Sequence, residues 1–436
     1  MRISTGMIHD AGVSAINRQT SDLFHQQQQL STGRRILTPA DDPVASANAL
    51  VVSQGVDMTQ QFTRSGGKAS DTLAFAEGQL QSATDLLGSV RTLAVSAGNT
   101  TLTDADRKSI ATQLRSGFDQ LMDIANAKDA AGQFIFSGYM GDTQPFAGSV
   151  EGGVRYSGDD GQRYLAVSAT QQAAVSQSGN DVFNRIPNGN GPMSVNYKTG
   201  NSGTALATAT TVTDNAKWSS ANNSGNLEVR FWIDTINAPG VTYYDLVDVS
   251  KSPPASLFTG GDSVSGGVGS TYTHVYTPGN PIDFAGLAAP YNDFGASVTI
   301  SGTPAGGDAF SVKSGATQSV FDTIRNLITT LERPVGNPQD RAKLSSDVAS
   351  ALTNLDQAQQ VFLTTRTSIG ATMARLDNLA SLNGDIGIQY QQQLSSLQDV
   401  DYTKTISDLT RTQTQLQAAQ QSFVKVSGLS LFDYLR

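Results

Sequence analysis

Both ends of the chain carry a heptad pattern of apolar residues, and this pattern constrains the fold more than any other feature. The N-terminal pattern follows a 3–4 spacing through Val13, Ile16, Thr20, Leu23, Gln27, Leu30 and Leu37. The C-terminal pattern does the same through Tyr402, Ile406, Leu409, Gln413, Leu416, Gln420 and Phe423. Stripes this narrow, diluted by glutamine and threonine, leave a single helix with little core of its own. We therefore expect the two terminal helices to pair with each other and to bind further subunits, as in an assembly protein rather than an enzyme.

The composition is poor in charge. Charged residues make up 15% of the chain, against about 25% in a typical globular domain, and Gln, Ser, Thr, Asn and 42 Gly take their place. Such a surface repels copies of itself weakly, which favours dense packing of identical subunits; a divergent secreted protein with an ordinary surface is the alternative. The net charge of −9 and the lack of a Lys/Arg block argue against nucleic-acid binding.

The cysteine content and the targeting signals limit the compartments in which the protein can work. The chain has no cysteine, which excludes disulfides and thiolate sites and fits a protein that works outside the reducing cytosol. No apolar run of signal-peptide or membrane-span length is found, so we expect neither. The protein then either stays in the cytosol or leaves by a route that reads no cleaved hydrophobic signal.

Helices are predicted on both sides of the chain's middle. The first should run from about Ser4 to Leu37 and stop before Pro39 and Pro43. Either Asp41 or Asp42 is expected to cap the next helix, with Pro43 in its first turn. Helical stripes continue to about residue 125, with a turn near 98–100, and return over 320–331 and 344–390. A slip in the stripe at 399–401 predicts a stutter in a supercoil, and thus a joint before the last helix.

The middle of the chain has a strand-like pattern. The segment GQFIFSGY, which begins at Gly132, places aromatic residues at alternate positions (Phe134, Phe136), and Gly, Pro, Thr, Ser and aromatic residues dominate from there to about Val312. The predicted strands cover 153–157, 163–168, 227–233, 241–249, 271–276 and 296–301. The stretches 188–224 and 251–270 are rich in Gly and Ser and are predicted to be long loops.

These patterns predict a multidomain α+β protein in which long terminal helices pair into a coiled-coil or helical rod around a central all-β insertion. Residues 1–40 with 400–436 should form the terminal helical domain, and 41–140 with 313–399 the rod. Residues 141–312 should form the β-rich outer domain.

No constellation of catalytic residues stands out. The three histidines, His9, His25 and His274, are scattered without metal-ligand spacing, and the glycine clusters at 65–68 and 266–269 lack the frame of a phosphate loop. Asp41 and Asp42 are better explained as helix caps than as paired catalytic acids. We therefore predict no catalytic residue, no metal and no cofactor.

Several motifs resemble one family. The stretch QLSTGRRILTPADDPVASA (29–47), with its two prolines, is similar to the hook-associated branch of the bacterial flagellin superfamily. The helix AEGQLQSATDLLGSVRTLAVSAGN (76–99) resembles the rod-domain helix that both branches share. The opening MRIST, GQFIFSG (132–138), GDDGQR (158–163), AGGDAFSV (305–312) and the terminal DVDYTKTISDLTRTQTQLQAAQQSFVKVSGLSLFDYLR resemble its L-type members, the proteins of the hook–filament junction. The resemblance covers 1–185 and 300–436, whereas 186–299 carries little of it.

The resemblance implies a secreted structural protein of the extracellular flagellum. It would leave the cell unfolded through the flagellar type III channel and form a ring of identical subunits between the first junction protein and flagellin. A cytosolic export chaperone would bind its C-terminal helix, and neither nucleic acid nor membrane would be a partner. The terminal packing would rest on Ile16, Leu23, Leu30, Leu37, Ile406, Leu409, Leu416 and Phe423.

Three alternatives differ in class. A filament-forming flagellin would polymerise alone, but the MRIST start, the two prolines and GQFIFSG favour the junction branch. An enzyme grafted into 186–299 would need a metal or nucleophile cluster, and His274 is the only histidine there. A coiled-coil adhesin would need a secretion signal.

Overall fold

The computed structural model describes residues 5–99, 101–220, 226–235, 238–252, 254–258, 274–315 and 317–428. Its α-helices are α1 (Thr5–Thr32), α2 (Pro43–Ala97), α3 (Asp104–Ala125), α4 (Asn215–Trp218), α5 (Val320–Glu332), α6 (Pro338–Gln398) and α7 (Tyr402–Gly428). Its first strands are β1 (Phe146–Ser149), β2 (Gly153–Tyr156), β3 (Tyr164–Ala166), β4 (Gln172–Ala174), β5 (Ile186–Pro187), β6 (Met193–Tyr197) and β7 (Leu206–Val212). The others are β8 (Leu227–Ile233), β9 (Thr242–Asp248), β10 (Ala255–Ser256), β11 (Pro281–Ala285), β12 (Asp293–Ser301), β13 (Ala309–Ser314) and β14 (Thr317–Gln318). The predicted α+β class, with helical ends around a β-rich middle, is confirmed.

The chain divides into two compact units. The first comprises Met1–Gly67, Ala166–Gln171 and Asp377–Arg436, and the second comprises Lys68–Leu165 and Gln172–Leu376. The division into three domains made from the sequence stays a prediction.

The first unit consists of helices that run antiparallel. At one end of the α1–α7 pair, the rings of His9 and Phe423 meet edge to face with centroids 4.8 Å apart. In the same unit, the start of α2 packs against the end of α6, where a Cβ added to Gly55 would lie 3.0 Å from the ring of Tyr390. Glycine at that position therefore lets two long helices approach closely.

The second unit holds a helical bundle with an aromatic core. Later turns of α2 pack with α3, α5 and α6, and the ion pairs Arg91–Asp356 (2.7 Å) and Glu77–Arg366 (2.7 Å) fix α2 against α6. Edge-to-face and tilted ring contacts link the buried phenylalanines of this core, which are Phe118, Phe136, Phe146, Phe183, Phe321 and Phe362. Interlocking rings of this kind fix a single packing arrangement.

Two antiparallel sheets enclose the core of the β region. The five-stranded sheet has the order β10-β9-β8-β13-β6, and the three-stranded sheet has the order β11-β12-β7. Their inner faces share one cluster that includes Val229, Phe231, Phe284, Phe294 and Phe310. Two-stranded pairs β1–β2, β3–β4 and β5–β14 lie outside these sheets.

The predicted loop at 188–224 is wrong, since it contains β6, β7 and α4. The strand β7 (LATATTV) pairs with β12 through its whole length, although its small and hydroxyl side chains give it no apolar stripe. Part of the second predicted loop, 251–270, forms β10, and 253 and 259–270 lie outside the described residues. Of the predicted strand 271–276, residues 271–273 lie outside them too, and Val275 forms an isolated bridge with Tyr243.

Two helix boundaries also differ from expectation. The first helix ends at Thr32 rather than Leu37, because Gly33 adopts φ +69°, the left-handed conformation that closes a helix. At 399–401 the chain leaves the helical conformation, so the predicted stutter is a true break between α6 and α7. In contrast, α2 runs without interruption through Gly66 and Gly67. Within the described residues, no helix is long and apolar enough to cross a membrane.

Candidate assembly interface

The antiparallel register of α1 and α7 is fixed by contacts at both ends. A Cβ added to Gly12 would lie 2.8 Å from the ring of Phe423, and one added to Gly33 would lie 3.1 Å from the Tyr402 hydroxyl. Both helices rise by the same 1.5 Å per residue. Ile16 therefore lies level with Ala419, and Leu23 lies level with Thr412.

A seam of buried and partly buried residues runs along each helix. On α1 the seam consists of Gly12, Ile16, Gln19, Leu23, Gln26, Leu30 and the adjoining Gly33. On α7 it consists of Thr405, Leu409, Thr412, Leu416, Ala419 and Phe423. Each list has the 3–4 spacing of a coiled-coil seam.

The sequence pattern located only one half of this seam. Ile16, Phe423 and the predicted leucines other than Leu37 lie on it, but the intervening positions are shifted by one residue. Val13 and Ile406 are 38% and 51% exposed instead, while Gly12 and Thr405 take their places. A glycine, two glutamines and a second glycine in strict sevens (12, 19, 26, 33) were the available signal.

Two polar side chains are buried in the seam without a partner. The Oε1 atoms of Gln19 and Gln26 are buried, and no donor in the described part of the chain reaches them. An unsatisfied buried acceptor destabilises the surrounding structure by about 1–3 kcal/mol. The α1–α7 pair is thus weakened at two consecutive layers.

Apolar residues are left exposed on one flank of the pair. Phe24 and Val424 are 62% and 69% exposed, and Ile406 and Val13 lie on the same side of their helices. The positions next to the seam face the same side in both helices of an antiparallel pair. The described residues of a single chain therefore leave apolar surface exposed on this flank.

A short two-stranded joint connects the pair to the longer helices. Arg34 and Asp399 form an antiparallel β-bridge. The backbone N–H of Arg35 donates to the carbonyl of Gln398 (2.6 Å), and that of Val400 donates to Gly33 (3.0 Å). Val400 is buried, so the joint is packed as well as hydrogen-bonded.

The turn between α1 and α2 is organised by two carboxylates. Asp41 Oδ2 accepts the backbone N–H groups of Leu37 (2.9 Å) and Thr38 (2.8 Å). The pKa of Asp41 is lowered, chiefly because of the bond from Thr38. Leu37 is half-buried in this turn and is not helical.

The second carboxylate stands at the start of α2. Asp42 Oδ1 accepts the backbone N–H of Ala45 (3.0 Å), which lowers the pKa of Asp42, and Pro43 is the first helical residue. Pro39 is exposed on the turn. Asp401 has the equivalent place before α7, where its Oδ1 accepts the N–H of Lys404 (3.1 Å).

The three histidines lie in three separate places and make different contacts. His9 meets Phe423, His25 lies 3.1 Å from Asp41 Oδ1, and His274 stacks on Phe258 with centroids 4.0 Å apart. No group of three or more His, Asp or Glu side chains that could hold a metal occurs in the described ranges.

Both ends of the chain match flagellin family models. Residues 3–140 match the bacterial flagellin N-terminal helical region, and 348–435 match the C-terminal helical region. Over 437 residues, covering 100% of both chains, the protein is 24% identical to flagellar hook-associated protein 3 of Salmonella typhimurium.

A solved structure agrees in fold. The flagellar junction protein FlgL from Legionella pneumophila superposes with a TM-score of 0.66 at 27% identity, covering 81% of this chain and 100% of that one. By comparison, the B-type flagellin of Pseudomonas aeruginosa is 28% identical over only 31% of this chain and 28% of its own.

Proposed function

Because the chain belongs to the flagellin superfamily, we propose that it is a structural subunit of the bacterial flagellum that joins the hook to the filament. The observation that carries this proposal is the end-to-end match with a hook-associated protein 3, against a match of about one third with a flagellin. Filament-forming flagellin is the alternative, and the partial match favours it less.

The proposed partners follow from this position. Identical subunits would form a ring, with the first junction protein on the hook side and flagellin on the filament side. An export chaperone would bind the C-terminal helix before the chain leaves the cell for the extracellular flagellum. The protein would act by assembly alone, without catalysis.

The α1–α7 pair supports a mechanism in which assembly and folding are coupled. Its seam is only partly buried in the single chain, and two of its layers hold unsatisfied glutamines. Such helices gain too little from burial to offset the entropy lost on ordering. Neighbouring subunits would supply the missing contacts, so that the ends become stable on addition to the growing structure.

The residues proposed for this packing include both seam and flank positions. They are Ile16, Leu23, Leu30, Leu37, Ile406, Leu409, Leu416 and Phe423. Ile406, exposed in the single chain, would contact a neighbour rather than α1, and Leu37 would act through the turn.

The Leu416→Asp variant tests the proposal. A carboxylate at this seam position would lose part of its hydration, and none of the seam residues carries a positive charge that would offset the loss. We expect the β region to stay folded and motility to be lost, with flagellin released into the medium. The matched control is Gln417→Asp, which adds the same charge at the exposed next position and should swim normally.

Normal motility of Leu416→Asp would contradict the packing role. To separate the two family branches, purified protein can be tested for self-polymerisation. Long filaments formed by this chain alone would favour flagellin.

A further inference from the structure

The first part of α2 carries a second apolar stripe that no described residue of the chain covers. Val44, Val51 and Met58 follow each other in strict sevens and are 70%, 67% and 51% exposed; Leu50 beside them is 62% exposed. Exposed Ala47 and Gln54 complete the 3–4 spacing. We call these six residues the outer stripe of α2.

The outer stripe lies opposite the face that α2 already buries. The buried face consists of Ala45, Ala49, Val52 and Thr59. Because an α-helix turns by 100° per residue, the two sets point to opposite sides. A helix with apolar residues on two opposite sides needs two partners.

The chemistry of the outer stripe selects the kind of partner. Apolar residues with heptad spacing pack against another helix. Between Pro43 and Thr63 the only charged residue is Asp57, so the stripe lacks the Lys and Arg residues that would bind anionic lipid or nucleic acid. Its partner is therefore a helix that is itself poor in charge.

The chain offers such a helix in the same unit. The last part of α6 exposes Leu382 and Ile388, 51% and 55% respectively, and Asp385 is the only charged residue between 378 and 398. We propose that the outer stripe of α2 docks onto the end of α6 in a neighbouring copy of this chain. The contact is heterologous, since two different patches meet.

This inference rests on the proposed function, which places identical subunits side by side. Four exposed apolar side chains can bury far less surface than the roughly 800 Å² per partner of a stable interface. The free protein should therefore stay monomeric, and the contact should form only within the assembled ring.

Cysteine scanning tests the contact without background, because the chain has no cysteine of its own. The Val51→Cys variant reports on the stripe, and Gln60→Cys, exposed on another side of α2, is the matched control. Maleimide should label both in the released monomer. In isolated flagella, we expect labelling of Val51→Cys to fall at least tenfold while Gln60→Cys stays reactive.

A second measurement identifies the partner. Flagella carrying Val51→Cys with Leu382→Cys, treated with a short bis-maleimide, should give multimers of the chain, whereas each single variant should not. Equal labelling of Val51→Cys in both states, or protection without multimers, would overturn the proposed contact alone. If neither cysteine variant nor the unchanged chain is found in flagella, the proposed function fails and the contact fails with it.

Discussion

Replacing Gln19 and Gln26 by leucine should stabilise the α1–α7 pair. Both amide oxygens are buried without a donor, and both lie on the line that leads from Gly12 at Phe423 to Gly33 at Tyr402. Leucine at these positions removes the unsatisfied acceptors and adds apolar contact with α7.

Each substitution should raise the stability of the α1–α7 pair in two ways. Removing one unsatisfied acceptor recovers about 1 kcal/mol at the lower end of the measured range. A leucine that is half-buried adds about 1 kcal/mol, half of what full burial gives. The double variant should thus gain about 4 kcal/mol if the two layers add independently, which corresponds to roughly a thousandfold shift in the opening equilibrium of the pair.

Amide hydrogen exchange of the free monomer measures this shift directly. Exchange of the central amides of α1 should slow in the double variant, by up to about a thousandfold given the shift above. The control is Gln27→Leu with Gln28→Leu, the same change at two exposed neighbours, which should leave exchange nearly unchanged. Equal exchange in the double variant and the native chain would refute the role of the two glutamines.

Two further predictions concern pH. Burial raises the pKa of Asp245 to about 6, so the folded β region binds a proton that the unfolded chain has already lost. Its stability should fall by about 2 kcal/mol between pH 4 and 7, as followed by the fluorescence of the chain's two tryptophans, both in this region. Asp245→Asn should flatten the pH dependence, whereas Asp283→Asn, at an exposed position, should leave it unchanged. The pKa of Asp41 is lowered from 3.8, so its contribution is present above that pH and lost as pH falls through the folded value. The amide resonances of Leu37 and Thr38 should shift with that loss, and a shift that persists in Asp41→Asn would contradict the assignment.

The apolar pattern was a good guide where large side chains do the packing. The stripes of α2, α3, α5 and α6 lead to buried leucines and phenylalanines such as Leu80, Leu121, Leu327 and Phe362. In contrast, the seam of the terminal pair alternates leucine with glycine, glutamine and threonine. The apolar pattern therefore predicts Val13 and Ile406, each of which lies one position away from the seam.

Long-range pairing accounts for the other misses. The strand β7 has no inward stripe of its own, because β12 supplies the apolar residues of that part of the sheet, such as Val298 and Ile300. The end of α1 at Gly33 and the break at Asp399 are fixed by hydrogen bonds between residues more than 360 positions apart. The residues of a segment do not by themselves indicate a hydrogen-bond partner so far away in the sequence.

The joint at Arg34 and Asp399 also has a mechanical consequence. Two backbone strands cross it side by side, tied by hydrogen bonds from Arg35 and Val400. A ribbon of two strands bends easily across its thin dimension but resists shear between the strands. Both backbone segments of the joint therefore share a torque applied to the terminal pair. This arrangement suits a protein that transmits rotation from one segment of a flagellum to the next.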